Sequence, residues 1–395
     1  MKILMVNNRL KVFGGEGTYM TSVGDFFQSS GHEVQYFGLK DPEHFHGNAY
    51  NLYAKKSKNP LNIFKSKYNA KKFGEILDSF NPDIIHLNLV YFTLTPYILT
   101  EASKRNIPVI QTVHDGKIVC PSYQLFISNK NKACDECVDH KFKRCFKNKC
   151  VKESLFLSYL AYKEAVYNEK HHYYDLVDSF VFPSKYMMGL HTKYGIDSNK
   201  CVYLQNFSRL QKVSTFVEKD NHVLFFGRLE KIKGVEVLLK VIKEKPEINF
   251  IIAGDGNCKT LFDNLANCKS LGFVTKEPLK ELIKKAKVCV FPSIWNENCP
   301  MGVAESIALG TPVICSNIGG MPELMVDGYN GYLVKPNDSN DLKEKIELAV
   351  NDKNNHKLAE NCINSNSLLT IEAYCEKLMK HYQNVLDAKR ISKHD

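Results

Sequence analysis

Residues 291–310 read FPSIWNENCPMGVAESIALG. A short apolar run, Val288 to Phe291, ends in Pro292-Ser293, after which Asn296, Glu297 and Asn298 crowd together before Pro300. A helical pattern follows, with Val303, Ile307 and Ala308 at apolar spacing. Proline suits the first turn of a helix, where its missing N–H would be unpaired anyway. Glu297 therefore belongs to a loop at a helix mouth, and Glu305 to the helix itself. Were both helical, eight residues would separate them by about 12 Å along the axis, at ~1.5 Å per residue. Between them lie the backbone N–H groups of a helix N-terminus, which attract phosphate. Two carboxylates flanking an anion site suit a nucleotide-sugar, with one acid for the sugar hydroxyls, one for the ribose and the diphosphate between them.

Upstream of this stretch, strands alternate with glycine turns and helices. His222–Phe226 reads as a strand running into Gly227-Arg228-Leu229-Glu230-Lys231-Ile232-Lys233-Gly234 and a helix from Val235. Arg228 and Lys233 converge above the sheet in that reading, a bidentate fork and a compact charge suited to a departing diphosphate. Asn249–Ala253 runs into a second glycine turn, and the backbone of Ser270–Val274 is placed to edge a nucleobase. Near the N-terminus, Lys2–Val6, the turn Gly14-Gly15-Glu16-Gly17, a helix over Thr18–Phe27 and a strand over Val34–Phe37 form a βαβ unit. Its glycine turn serves either phosphate approach or tight packing. Ligands of open parallel sheets bind beyond the carboxyl ends of the strands. His114, just past the strand pattern Pro108–Val113, is thus placed to face a cleft, whereas His86 lies within its strand and reads as a core histidine.

At 395 residues the chain exceeds one ordinary core and implies two domains. The net charge of +10 favours anionic partners, but the basic residues are dispersed and no nucleic-acid-binding motif occurs, so nucleic acid is not expected. No apolar run reaches the roughly 18 residues of a membrane span, and the first residues read as a strand and not a signal peptide. Thirteen scattered cysteines fit a reducing compartment, hence the cytoplasm. Residues 54–72, AKKSKNPLNIFKSKYNAKK, mix lysines with Leu61, Ile63 and Phe64. This is either a solvated face or a peripheral contact with an anionic membrane. The pairs Cys134-x2-Cys137 and Cys145-x4-Cys150 have the spacing of a structural zinc site with four protein ligands, and free thiols are the alternative. The helical pattern from Leu155 to Tyr174, crowded with Leu, Phe and Tyr, reads first as core packing.

From Gly227 onward the motifs carry a resemblance. Gly227-Arg228…Lys233-Gly234, Glu297 and Glu305 with seven residues between, and Gly319-Gly320…Pro322-Glu323 with Gly331…Leu333-Val334 occur in order. Together they resemble the retaining nucleotide-sugar glycosyltransferases of the GT-B fold, the group 1 family, in the subset with a cysteine-rich insertion. The resemblance implies two Rossmann-like α/β domains facing each other across a cleft. They comprise an acceptor-binding domain over residues 1–210 with an insertion at about 120–152, a nucleotide-sugar domain over 211–375, and a C-terminal helix over 376–395 returning to the first domain. It further implies that Arg228 and Lys233 hold the donor diphosphate, Glu297 the sugar hydroxyls and Glu305 the ribose. Gly15 and the segment containing Cys299, Met301 and Gly302 supply backbone donors, Val274 edges the base, and His114 faces the sugar. The turn reads GGEG instead of the commoner GG-A-E, which leaves Glu16 without an assigned role.

The expected activity is transfer of a hexose, with retention, from a UDP-sugar or alternatively a GDP-sugar to a glycan or lipid-linked saccharide in surface polysaccharide or capsule biosynthesis. No Asp-x-Asp pair occurs, so no catalytic metal is expected. Three rivals stand beside this reading. One is a nucleotide-sugar epimerase of the same fold, and another a zinc-stabilised nucleic-acid-binding protein. The third is a glycoside hydrolase using Glu297 and Glu305, whose carboxyls would have to lie about 5–9.5 Å apart.

Overall fold

The computed structural model describes residues 1–10, 14–40, 53–57, 59–365 and 368–391. They form two compact units. One comprises Met1–Asn129, Asp135–Gln205 and Ile371–Asp395, the other Lys130–Cys134 and Asn206–Thr370.

The first unit is built on a six-stranded parallel sheet, in the order Glu33–Lys40, Lys2–Leu10, Ile84–Leu87, Val109–Thr112, Ser179–Phe182, Cys201–Tyr203. The central strands Ile84–Leu87, Val109–Thr112 and Ser179–Phe182 are buried at every residue, as expected where helices cover both faces of a parallel sheet. The helix Gly15–Ser29 opens directly at the glycine turn, three residues earlier than Thr18, and Gly14 takes φ 81° at its mouth. The helix Lys67–Phe80 starts at Ser66, whose hydroxyl accepts the Asn69 N–H, and stops at Asn81 in the left-handed region.

The C-terminal helix Ile371–Ile391 belongs to this unit and packs against Gly15–Ser29. Its inner face is polar in a specific way. Tyr374 hydrogen-bonds Tyr19 at 2.7 Å, and Tyr19 in turn hydrogen-bonds Thr112 at 3.1 Å. Tyr382 meets the Nδ1 atom of His86, whose Nε2 lies 2.7 Å from the Thr112 hydroxyl. His381 reaches Ser179 at 2.9 Å, and Lys389 pairs with Asp178 at 2.6 Å. His86 is fully buried, as its position within a strand predicts, and burial holds its pKa at about 3, so the ring is neutral.

The second unit repeats the design in the order Cys268–Gly272, Phe250–Ala253, Val223–Phe226, Val288–Phe291, Val313–Ser316, Gly331–Val334, again all parallel. The helix Val235–Glu244 buries Val235, Val237, Leu238, Val241 and Ile242. Each such side chain stabilises by about 1.5–3 kcal/mol. The two connecting segments run side by side within this unit, with Phe207 bridged to Leu369 and the Ser208 N–H donating to the Leu369 carbonyl at 2.9 Å.

One expectation needs correction. The helical pattern from Leu155 forms a helix over Leu155–Lys170, but its first turn is not core: Leu155, Phe156, Leu157 and Tyr159 are exposed. Ser158, Ala161, Glu164 and Ala165 are buried instead, so the narrow inward face is made of small and polar residues. Beyond the second sheet the chain forms three helices, Ser339–Val350, Asp352–Asn364 and Ile371–Ile391.

Candidate functional site

In the second unit the sheet ends gather the residues singled out from the sequence. The turn Lys231–Lys233 closes at Gly234, which takes φ +72°. A Cβ there would sit 1.8 Å from the Pro292 carbonyl oxygen, so only glycine lets this turn lie against the loop that follows Val288–Phe291. The Ile294 N–H donates to the Ile232 carbonyl at 2.9 Å and ties the two segments together. That packing delivers Lys233 to Glu297, with Nζ 2.6 Å from Oε1, and the Ser293 hydroxyl donates to the same oxygen at 2.7 Å. The Lys233 ammonium also lies 5.2 Å from the Trp295 ring centre. Burial pushes the Glu297 carboxyl pKa up, but the Lys233 charge and the hydrogen bonds together outweigh it, and the group is held below the ordinary carboxylate value.

The Gly319-Gly320 pair sets the position of this loop from the other side. Gly319 takes φ +61°, and a Cβ on it would lie 2.3 Å from the Glu297 carbonyl oxygen. The Gly320 N–H donates to that same oxygen at 2.8 Å. The helix Met301–Ala308 follows, with Pro300 at its N-cap. Gly302 presses against the strand ends, since an added Cβ would come 2.9 Å from the Phe291 ring and 3.1 Å from the Phe226 ring. In its first turn the Val303 N–H donates to the Pro300 carbonyl at 3.2 Å, while the N–H groups of Met301 and Gly302 precede any intrahelical acceptor, a few residues on from Glu297. Cys299 is buried, its carbonyl accepts the Asn206 amide at 3.3 Å, and burial pushes its thiol pKa up to about 12. Its side chain is therefore a protonated thiol at neutral pH. Val274 is half-buried just beyond the strand Cys268–Gly272.

Glu305 is almost wholly buried on the same helix, and its Oε1 accepts from both Nε and a terminal nitrogen of Arg209 at 2.6 Å. Burial dominates and raises its pKa, with Arg209 opposing. Arg228 is exposed and pairs with Glu230 at 2.8 Å, so it does not join Lys233 in this structure. The two glutamates are thus each neutralised by a separate cation, an arrangement unlike a shared acid and base pair.

In the first unit His114 sits beyond Val109–Thr112, with Nε2 2.8 Å from Asn88 Oδ1. The Asn88 amide nitrogen donates to the Val6 carbonyl at 3.3 Å, which fixes its oxygen toward the histidine. His114 therefore carries its proton on Nε2 and leaves Nδ1 as an acceptor. Burial lowers its pKa to about 4, opposed by the nearby Glu16 carboxylate. The Tyr19 ring meets the imidazole edge-on at 4.8 Å. Asp115 beside it accepts from the Tyr91 hydroxyl at 2.8 Å and the Lys117 N–H at 3.0 Å, and burial raises its pKa to about 6. Gly15 is the first helical residue, and a side chain there would meet nothing within 4 Å. Gly15 is exposed.

The zinc expectation concerns Cys134, Cys137, Cys145 and Cys150. Among the described residues no three His, Cys, Asp or Glu side chains form a group that could hold a metal. Cys134 falls in the segment Lys130–Cys134 counted with the second unit, whereas Cys137, Cys145 and Cys150 belong to the first. Cys145 and Cys150 pair with each other. The short helix Lys143–Lys147 and a Cys150 N–H donated to the Cys145 carbonyl at 3.1 Å bring them together. Their thiol–thiol hydrogen bond, with burial second, pushes the Cys145 pKa well up. All thirteen cysteines are free thiols.

Arg209 and Asn88 escaped the sequence reading. Arg209 lies 96 residues from Glu305 and Asn88 lies 26 from His114, and neither falls in a motif. Only its place next to a strand end offered a signal for Asn88.

Comparison with known proteins places this geometry in a family. The model described as glycosyltransferase family 4 matches residues 13–211, and the one described as glycosyl transferases group 1 matches residues 206–367. The chain belongs to the group 1 and family 4 glycosyltransferases. An uncharacterised glycosyltransferase of Methanocaldococcus jannaschii is 33% identical over 193 residues, covering 47% of this chain and 53% of the relative. An uncharacterised 41.2 kDa protein in the cps region of Klebsiella pneumoniae is 30% identical over 168 residues, 39% of this chain and 46% of the relative. The chain spans about half the length of these relatives. The Anabaena protein HepE, solved in complex with UDP, superposes with a TM-score of 0.67 at 16% identity over 97% of this chain and all of that one. This likeness is one of fold, the two-domain GT-B architecture.

Proposed function

We propose that the protein transfers a sugar, with retention at the anomeric carbon, from a nucleoside diphosphate sugar to a glycan or lipid-linked saccharide acceptor in surface polysaccharide biosynthesis. The observation that carries this reading is the Lys233–Glu297 pair at the mouth of the helix Met301–Ala308, locked in place by Gly234 and Gly319. A cation, a carboxylate and open backbone N–H groups at one point match the donor's diphosphate and sugar hydroxyls. The diphosphate lies over the helix mouth with Lys233, joined by Arg228, neutralising the charge that grows on the leaving oxygen. Glu297 accepts from the sugar hydroxyls and Glu305 from the ribose, while Val274 borders the base. Gly15 offers backbone to the phosphate, and the neutral His114 addresses the sugar. None of these groups is placed as a general base, so the departing phosphate takes the proton of the acceptor hydroxyl as the C–O bond to the donor breaks.

UDP is the favoured nucleotide, supported by the UDP bound in HepE, and GDP is the alternative. The capsule assignment is supported by the Klebsiella relative's place in a cps region. Thirteen free thiols support a reducing, cytoplasmic setting. The test is a screen of UDP-, GDP- and ADP-sugars for protection against thermal unfolding, where a ligand at 100 times its Kd adds about 2.7 kcal/mol. NMR of the product sugar's anomeric proton follows. One nucleotide sugar should stand out and be transferred with retained configuration. No protection by any of them would overturn the proposal, as would an inverted product. Donor consumption without acceptor, yielding an altered sugar, would turn the reading to epimerisation.

A further inference from the structure

The exposed first turn of the helix Leu155–Lys170 has no use in the site described above. Leu155 is 50% exposed, Phe156 65%, Leu157 37% and Tyr159 43%. Successive helical residues project about 100° apart, so Leu155, Phe156 and Leu157 cover most of the circumference. No single apolar face could bury all three against the unit; the turn protrudes. Ser154 caps it, accepting the Leu157 N–H at 3.3 Å, and the Ser158 hydroxyl accepts the Val151 N–H at 2.9 Å, so the protrusion is a formed element.

The chain leading into it is strongly basic. Residues 141–159 hold six basic side chains and one acidic, Glu153. Lys143, Lys147, Lys149 and Lys152 are exposed, and none has an ion-pair partner among the described residues. The helix Lys143–Lys147 packs on Leu155–Lys170, with the Phe146 ring 5.6 Å from that of Tyr159. Unneutralised lysines and bare apolar side chains are therefore neighbours on one unit.

We propose that this face seats the protein on an anionic phospholipid bilayer, the apolar turn entering the interface and the lysines resting on the headgroups. Charge complementarity selects this occupant. Lysine is depleted at protein–protein interfaces, whereas apolar side chains flanked by lysines are what an anionic interface binds. The earlier stretch 54–72 approaches the same helix further along, where Phe64 lies 5.6 Å from Tyr167. The inference does not depend on the nucleotide-sugar reading.

The experiment is sedimentation of the full chain with vesicles of phosphatidylcholine alone and of phosphatidylcholine with phosphatidylglycerol. The wild type should favour the anionic vesicles at least about tenfold, and added salt should weaken that binding. Phe156→Asp and the double variant Lys147→Glu/Lys149→Glu should each lower it by about tenfold or more, with unchanged far-UV circular dichroism and melting. The lysine variant lies wholly on the surface and keeps the test valid if Phe156→Asp misfolds. Equal binding to both vesicle types, no binding, or variants that bind like the wild type would each overturn the proposal. So would a concentration-dependent dimer that Phe156→Asp abolishes while vesicles are ignored, since the occupant would then be a second copy.

Discussion

Gly319→Ala is the perturbation that bears most directly on how the site is held. Alanine at φ +61° carries the left-handed penalty of about 1–2 kcal/mol, partly offset by about 0.4–1 kcal/mol from a stiffer unfolded chain. Its Cβ would also lie 2.3 Å from the Glu297 carbonyl oxygen and 2.8 Å from its nitrogen, against an ordinary contact of 3.4 Å. The Glu297 loop must retreat, which strains the Gly320 hydrogen bond, worth about 0.5–1.5 kcal/mol. The total is about 0.5–3 kcal/mol, or roughly 1–12 °C in Tm for a unit of this size. Gly328→Ala is the control, because Gly328 has φ +70° but nothing within 4 Å of a Cβ. It should cost only about 1 kcal/mol. Differential scanning calorimetry of both variants, with and without UDP, separates strain from displacement. Gly319→Ala should lose nucleotide protection and Gly328→Ala should keep it. If both melt alike and both keep it, the claim that Gly319 positions Glu297 is wrong.

Lys233→Met leaves the Glu297 carboxylate buried without its cation and should destabilise the second unit by about 2–4 kcal/mol at neutral pH, less than a fully enclosed pair because Lys233 is partly exposed. In the wild type the depressed Glu297 pKa contributes stability above the ordinary carboxylate range that is lost as pH falls through the folded value. In the variant, burial alone raises that pKa, so the gap between the two proteins should narrow on acidification from pH 7; denaturation series at stepped pH measure this. Asn88→Asp places a carboxylate against the His114 Nε2–H and should lift the imidazole pKa from about 4 toward neutrality. NMR titration of the ring protons reads it, and an unmoved pKa would refute the assigned tautomer. Buried His86, His114 and His191, with pKa values of about 3, 4 and 4, sit below the ordinary 6.5. The unfolded chain therefore takes up protons first, and the first unit should lose up to about 1.4 kcal/mol per histidine per pH unit as pH falls from about 6.5 toward 4. His191→Leu should remove one histidine's share of that slope, up to about 1.4 kcal/mol per pH unit, as followed by acid unfolding.

Both sheets were legible because buried parallel strands read as short apolar runs closed by turn residues, as Ser179–Phe182 and Val288–Phe291 are, each followed by Pro-Ser. Lys233 and Glu297 were legible because tight turns and helix starts leave local marks, and the structure joins the two in one ion pair. Partners brought together by the fold leave no such marks. Arg209 is a lone arginine until the chain closes on Glu305, and Tyr374 and Tyr382 look like core aromatics until their hydroxyls meet Tyr19 and His86. The cysteine spacing was visible, whereas the hydrogen bond between Cys145, on the short helix Lys143–Lys147, and Cys150 leaves no mark in the sequence. The helix at Leu155 failed for a related reason. Its apolar residues crowd one turn instead of recurring at i, i+3 and i+4, and that crowding places them outside.

The C-terminal helix gives the first unit an unusual timetable. Tyr19, His86 and Ser179 find partners on Ile371–Ile391, which leaves the ribosome only after the whole second unit has been made. During synthesis the N-terminal sheet waits for that helix with one flank uncovered and its polar groups met by water. A nascent chain stopped at Thr370 should thus be the form that chaperones hold longest, and the last helix is the step that releases it.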